Sequence, residues 1–249
     1  MSIEINLDNK VALITGGTRG IGKSIVIELL KSGAMVYATG TNEAQIKKLN
    51  EENKNPLLTY LQLNLSDVDN VKDFIKKTIK LSEIDILVNN AGVNVVSDAD
   101  QITYEDFLKT QQINVYGPFL LAQAFGKQMV KRNWGRIVNI SSIWGVVTRP
   151  GRLSYSTSKM ALLGINKTLA VEWAKNNVLV NSVSPGFTLT ELTKTTNTKE
   201  ELKIIENKIP QKRLAEPKEI ANGVLFLISN LNSYIVGQNL IIDGGYTAI

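Results

Sequence analysis

A chain of 249 residues with 43% apolar content can bury a substantial core, and α/β sequences of this size commonly fold as one domain, expected here over residues 1–249. It has no cysteine and no histidine, which removes disulfides, thiolate nucleophiles, thiolate or imidazole metal ligands and any Ser-His-Asp triad, so no metal site is expected. The net charge of +5 would suit nucleic acid, but Lys and Arg come in pairs at most, such as Lys47-Lys48 and Lys76-Lys77, which reads as solvated helix faces and no nucleic-acid partner.

The first apolar run, Val11 to Thr15, has strand length and leads through TGGTRGIG (residues 15–22) into an amphipathic helix over 21–31 that Gly33 closes. A turn of this kind, after the first strand of a doubly wound sheet, is an anion site, because the helix N-terminus offers open N–H groups. Gly16 permits the tight turn, Gly20 lets backbone approach a pyrophosphate and Gly22 lets the helix pack close; Thr18, Arg19 and Ile21 fill the turn between them. The spacing Gly-x-x-x-Gly-x-Gly departs from the Gly-x-Gly-x-x-Gly fingerprint, so the strand-turn-helix context carries the dinucleotide expectation.

A second strand over 35–39 ends in Thr39, Gly40, Thr41 and Asn42. An acidic residue there would favour NAD by accepting a bond from the ribose 2′-hydroxyl, and none occurs before Glu43, so a 2′-phosphate meets no repulsion. Asn42 with Gln45 resembles a capping box opening a helix over 43–53. A strand over 57–63 runs to Asn64 and Leu65, a helix over 68–81 follows, and a strand over 84–89 enters Asn90-Ala91-Gly92, which taken alone is a tight turn.

A long helix over 104–131 contains Asn114, a strand over 136–141 stops before Ser142, and a helix over 155–176 opens on YSTSK. Tyr155 and Lys159 are one helical turn apart and share a face. A free phenol, with a pKa near ~10, is a poor base at neutral pH, but a neighbouring ammonium and a positively charged nicotinamide would favour the phenolate. After a strand over 178–184 and Pro185-Gly186, the threonine-rich TLTELTKTTNT (188–198) and a helical patch ending near Pro210 mark 188–213 as a candidate substrate lid. A helix over 217–229 and a strand over 239–242 complete an α/β, doubly wound, Rossmann-like single domain with a seven-stranded parallel sheet and helices on both faces.

TGGTRGIG, NNAG (89–92), Asn114, Ser142, YSTSK (155–159) and PG (185–186) together resemble the short-chain dehydrogenase/reductase family over essentially the whole chain. KRNWGRIVNISS (131–142), VNSVSPGF (180–187) and IPQKRLAEPKEIA (209–221) are most like its 3-oxoacyl-[acyl-carrier-protein] reductase branch. The resemblance implies an NAD(P)-dependent oxidoreductase in which Arg19 pairs with a 2′-phosphate, making NADPH the expected cofactor over NAD. It further implies that Asn64 and Leu65 meet adenine, that Asn90, Ala91 and Gly92 line the ribose and backbone, and that Pro185, Gly186, Thr188 and Thr190 touch nicotinamide and pyrophosphate. By the same resemblance Tyr155 protonates the carbonyl oxygen as hydride arrives, Lys159 also holds the nicotinamide ribose, Ser142 hydrogen-bonds that oxygen, and Asn114 holds a water linking Lys159 to solvent.

The activity so implied is reduction of a ketone to a secondary alcohol, the ketone being a 3-oxoacyl thioester of fatty acid biosynthesis. A sugar, polyol or other small-ketone dehydrogenase is the alternative, and an intact Tyr-Lys-Ser-Asn set argues against an idle nucleotide-binding scaffold. Carrier-protein reductases present basic residues near the active-site entrance, with arginines in the region of Asn133 and Asn176; here both positions are asparagine, with Lys131, Arg132 and Lys175 nearby. Arg149 and Arg152 can bind an anionic substrate or face solvent, and Trp144 can shape the pocket or pack in the core. Relatives imply a homotetramer formed through the two long helices and the terminal strand, where VGQNLIIDGGYTAI resembles an interface segment. The polar, acidic opening MSIEINLDNK and apolar runs far shorter than a bilayer span lead to a cytoplasmic location with no membrane partner; the expected partner is a small-molecule or carrier-bound carbonyl substrate.

Overall fold

The computed structural model describes residues 4–191, 193 and 198–248. Seven strands form one parallel sheet: β1 (Val11–Ile14), β2 (Met35–Gly40), β3 (Leu58–Gln62), β4 (Ile86–Asn89), β5 (Gly135–Ile140), β6 (Val178–Pro185) and β7 (Asn239–Ile242), in the order β3-β2-β1-β4-β5-β6-β7. The order reverses between β1 and β4, and at such a switch point the loops leaving the strand ends diverge to opposite faces and open a crevice. The helices are α1 (Gly20–Lys31), α2 (Glu43–Glu52), α3 (Val68–Leu81), α4 (Tyr104–Gln111), α5 (Gly117–Arg132), α6 (Leu153–Trp173), α7 (Lys199–Lys208) and α8 (Pro217–Ile228). Among the described residues no helix is long and apolar enough to cross a membrane.

Alternation along each strand feeds two cores, because neighbouring side chains point to opposite faces. Ala12, Ile14, Val36, Ala38, Ile86, Val88 and Val138 pack with Ile25 and Leu29 of α1 and with Ile220 and Val224 of α8. Leu13, Tyr37, Leu87 and Ile137 pack on the other face with Phe74 of α3, Phe125 and Met129 of α5 and Ala170 of α6. The second face also carries polar groups. Asn89 of β4 donates to Asn139 of β5 at 2.9 Å, and Asn139 donates to Asn166 of α6 at 3.4 Å, each of the three no more than 2% exposed.

Gly33 ends α1 at φ 89°, as its place in the sequence predicts. Asn42 accepts the Gln45 N–H at 2.8 Å, one half of the expected capping box, while both halves are present at Thr198/Glu201, and Glu219 accepts the Glu216 N–H at 2.8 Å. The helix expected over 104–131 is interrupted by a π-turn, Gln112–Tyr116. Pro118, at the start of α5, has no N–H to offer the Asn114 carbonyl, so a regular ladder cannot run through this point. Of the lid expected over 188–213, Leu192 and residues 194–197 lie outside the described residues; within the remainder, Thr188 bridges to Ala215 and α7 follows.

Candidate active site

The turn after β1 shapes the crevice. Gly16 sits at φ 65°, and a side chain on Gly22 would press into the Gly16 carbonyl oxygen and the Asn90 amide. The close approach that Gly22 permits is therefore onto the turn itself, while Gly17, to which the sequence assigns no role, is the position that packs against the sheet: a Cβ there would lie 2.8 Å from Ala38 Cβ. The Thr15 hydroxyl accepts the Asn90 and Ala91 N–H groups at 2.9 and 3.0 Å, and the Asn90 amide donates to the Thr15 and Gly16 carbonyls at 2.9 and 3.1 Å. Asn90 thus staples β4 to the glycine turn, and its φ is not positive, so left-handed geometry is not why an asparagine stands there.

A cavity of about 380 Å³ opens over this turn. Of the residues expected at a dinucleotide, Gly16, Thr18, Arg19, Gly20, Ile21, Gly22, Thr41, Asn64, Leu65, Asn90, Ala91, Gly92 and Thr190 line it. Tyr155, Lys159, Pro185, Gly186 and Thr188 do not; the last three lie at the end of β6 and beyond it, where Gly186 N–H bonds the Ile242 carbonyl at 2.8 Å and Thr188 is 6% exposed. Thr39, Gly40, Leu63, Val93, Ile113 and Glu191 line it in addition. Each lies within one or two positions of an expected residue, and adjacency to the strand ends is the signal that marks them.

The cavity fits a dinucleotide by its chemistry. α2, α3, α4 and α7 begin with a side chain accepting a backbone N–H, from Asn42, Asp67, Thr103 and Thr198, whereas α1 begins at Arg19 with no side-chain cap and no acidic residue in its first turn. Open N–H groups at the positive end of the helix dipole, in a glycine-lined cavity, suit a phosphate. β2 delivers Thr39, Gly40 and Thr41 to the same cavity with no carboxylate among them.

Ser142, Asn114, Tyr155 and Lys159 meet at the crevice from three elements. Ser142 follows β5 and is 7% exposed; its oxygen accepts the Trp144 N–H at 3.2 Å. Lys159 is 3% exposed and donates to the Ile140 carbonyl at 2.7 Å, leaving two N–H donors. A Cβ on Gly92 would lie 3.5 Å from Lys159 Nζ, so the ammonium stands behind the cavity wall. Burial lowers the Lys159 pKa to about 8. Burial pushes the partly buried Tyr155 phenol up, against the hydrogen bond with Ser142 and the cation of Arg152, which pull it down. The Lys159 ammonium, 5.5 Å from the Tyr155 ring centre, is not among those influences, unlike the expectation from helical spacing alone.

Asn114 is 1% exposed within the π-turn. Its amide accepts from Val93 N at 2.9 Å and donates to Val93 O at 2.8 Å and Ser158 Oγ at 3.0 Å. Both amide hydrogens are thereby used, and the side chain positions the segment leaving Gly92 and the start of α6; the expected water would have to reach it through the second lone pair of Oδ1.

On the far side of Ser142 a second cavity, about 510 Å³, is lined by Trp144, Val147, Asn207, Lys208, Lys212 and Tyr246 among others. Trp144 both borders this space and packs: it is 7% exposed and meets Phe187 and Tyr246 edge-on at 5.9 and 6.1 Å. Asn133 and Asn176 hydrogen-bond each other at 2.8 Å, and they precede β5 and β6, at the end of the sheet opposite Ser142. Strand β5 alone separates the two ends by about 20 Å, at ~3.3 Å per residue, so within one chain these positions do not border the crevice. Among the described residues no three His, Cys, Asp or Glu side chains gather as a metal site.

A family model described as enoyl-(acyl carrier protein) reductase matches residues 16–247. The 3-oxoacyl-[acyl-carrier-protein] reductase FabG of Aquifex aeolicus is 40% identical over 98% of this chain and 99% of its own. The NAD-dependent glycerol dehydrogenase of Listeria innocua is 35% identical over 98% of this chain and 96% of its own. A solved structure of gluconate 5-dehydrogenase from Burkholderia cenocepacia J2315, in complex with NADP and tartrate, superposes with a TM-score of 0.91 at 28% identity, covering 98% of this chain and 97% of that one.

Proposed function

The chain belongs to the short-chain dehydrogenase/reductase family, and on that premise we propose that it uses NADPH to reduce the ketone of a 3-oxoacyl thioester, presented on an acyl carrier protein, to a secondary alcohol. The observation that carries this reading is the convergence of Ser142, Tyr155 and Lys159 beside a glycine-lined cavity with an uncapped helix N-terminus. The identity to a 3-oxoacyl carrier-protein reductase over nearly the full length supports the substrate class.

The turn from Gly16 to Gly22 and the start of α1 would hold the pyrophosphate, with Asn64 and Leu65 at the adenine and Asn90 to Gly92 along the ribose. Arg19, exposed and without an ion pair among the described residues, would take the 2′-phosphate, and Thr41 faces the same cavity; these two residues support NADPH over NADH. When bound, the nicotinamide supplies a hydride to the carbonyl carbon. Ser142 donates a hydrogen bond to the carbonyl oxygen, and the Tyr155 hydroxyl gives that oxygen its proton. Burial keeps the phenol protonated, and the Ser142 hydrogen bond and the Arg152 cation, which pull its pKa down, ease release of that proton. Lys159, with two donors to spare, orients the ribose and steadies the phenolate left behind. The apolar residues that α6 leaves exposed, Leu153, Met160 and Val171, support assembly through the long helices into a homotetramer.

The test is Tyr155→Phe, which removes the proton and little else. NADPH oxidation with an acetoacetyl thioester should fall about 10²- to 10⁴-fold while thermal unfolding stays near that of the parent. Turnover retained in a folded variant would refute the assignment.

A further inference from the structure

Among the described residues two guanidinium groups have no counter-charge: Arg152, whose charge acts on Tyr155, and Arg149, whose charge acts on Arg152. Arg152 lies three residues ahead of Tyr155, its backbone pinned by a bridge to Ser97, and its Nε and Nη1 are buried and make no hydrogen bond among the described residues. Those two nitrogens carry three of the five N–H donors of a guanidinium. Among the described residues neither Arg152 nor Arg149 forms an ion pair. The charges that act on Arg152 are those of Arg149 and Tyr155, and burial together with Arg149 lowers its pKa. Arg149 lies over Trp144 at 5.1 Å from the ring centre, and Trp144 follows Ser142 by two residues.

Leaving buried donors unfilled beside a like charge is unfavourable, and other arginines of this chain avoid it. Arg213 grips Glu219 through both terminal nitrogens, at 2.6 and 2.7 Å, and Arg132 bonds the Ile84 carbonyl at 2.7 Å with Asp85 beside it. Arg136 also leaves its Nε unfilled, but its Nη1 meets the Gly135 and Asn177 carbonyls at 2.8 and 3.0 Å. Arg152 is the arginine whose missing partner faces the reacting groups. An acyl thioester places no anion close to its ketone, so the proposed thioester substrate leaves this pair unexplained.

We propose that Arg152 and Arg149 form a carboxylate-binding subsite beside Ser142 and Tyr155, and that the protein also interconverts oxo acids and hydroxy acids, taking small ketones that carry a carboxylate. This rests on the reading of Tyr155 as proton donor. Per turnover the carbonyl carbon gains a hydride, with its two electrons, from NADPH, the oxygen gains the Tyr155 proton, and the carboxylate is untouched. NADP⁺ and the hydroxy acid leave, and the phenolate recovers a proton from water.

Acetoacetate and 4-oxopentanoate, each against its methyl ester, test the subsite in the parent protein and in Arg152→Lys, Arg152→Gln and Arg149→Gln. Charge-assisted hydrogen bonds give the acids a KM about 10- to 100-fold below that of the esters. That preference should collapse in Arg152→Gln, survive in part in Arg152→Lys, which keeps the charge without the planar fork, and weaken in Arg149→Gln, which reports even where the Arg152 variants do not fold. Calorimetric binding of 3-hydroxybutyrate to the protein with NADP⁺ should rank the variants in the same order without turnover. Esters reduced as well as acids, or an acid preference unchanged in Arg152→Gln and Arg149→Gln, would overturn the subsite and leave the Tyr155 reading standing. Arg152-dependent binding of 3-hydroxybutyrate with no ketone or thioester reduced would uphold the subsite and sink that reading instead.

Discussion

The two walls of the crevice are made of different material. The wall proposed for the dinucleotide is largely backbone: Gly16, Gly20, Gly22, Gly40 and Gly92 line it, and the side chains of Thr15 and Asn90 are spent holding that backbone in place. The wall proposed for the substrate is built from side chains, with Trp144, Phe187 and Tyr246 in mutual edge contact, Arg149 over Trp144, and Lys208 and Lys212 lining the same cavity as Trp144. A ligand whose phosphates are read by main-chain N–H groups demands residues without side chains at set spacing. A ligand read by functional groups leaves residue type and position free to vary.

Substitutions on either wall, and at the seam between them, sharpen that contrast. The largest effect is expected on the substrate wall. Ser142→Ala should lower kcat for ketone reduction by about 10²- to 10³-fold, as removal of an oxyanion donor does, while fluorescence titration finds NADPH bound as before; equal losses in both would mean the walls are not separable.

At the seam, burial holds the Lys159 pKa at about 8 against 10.5 for a free lysine. Between those values the unfolded chain binds a proton that the folded chain has released, so stability rises as pH climbs through the window, by about 3 kcal/mol at ~1.4 kcal/mol per unit. Lys159→Met should abolish that rise in chemical unfolding measured at pH 7.5 and pH 10.5. On the dinucleotide wall, where a side chain acts alone, Arg19→Ala should raise the KM for NADPH about 10- to 100-fold and leave that for NADH unchanged. Parallel losses with both dinucleotides would assign Arg19 to the wall itself.

The same contrast decides which features are legible in the amino-acid sequence. Strand and helix positions follow from alternation and from apolar spacing, and the glycine turn announces itself because no other residue tolerates that bend followed by so close an approach. The shared face of Tyr155 and Lys159 is legible from their spacing on one helix, whereas Ser142 is found only through the family resemblance. Pro118 is visible inside a long helical pattern, yet the extra residue that its missing N–H entails, and the consequent inward aim of Asn114, depend on what α5 packs against. Gly17 gives no sign because its neighbour, Ala38, comes from another strand. The burial of Arg152 Nε and Nη1 is least legible of all: an arginine in a loop is usually solvated, and only tertiary packing shows which of its donors are buried.

The three linked amides Asn89, Asn139 and Asn166 work as a depth stop for α6. An aliphatic interface lets a helix slide along a sheet at modest cost, but a slip of one turn, about 5.4 Å, would drive the Asn166 amide against hydrocarbon and strand Asn139. The same slip would pull Lys159, seven residues earlier on that helix, off the Ile140 carbonyl. Alignment of the reacting side chains is thus held from a point far below them, by groups that never meet a ligand.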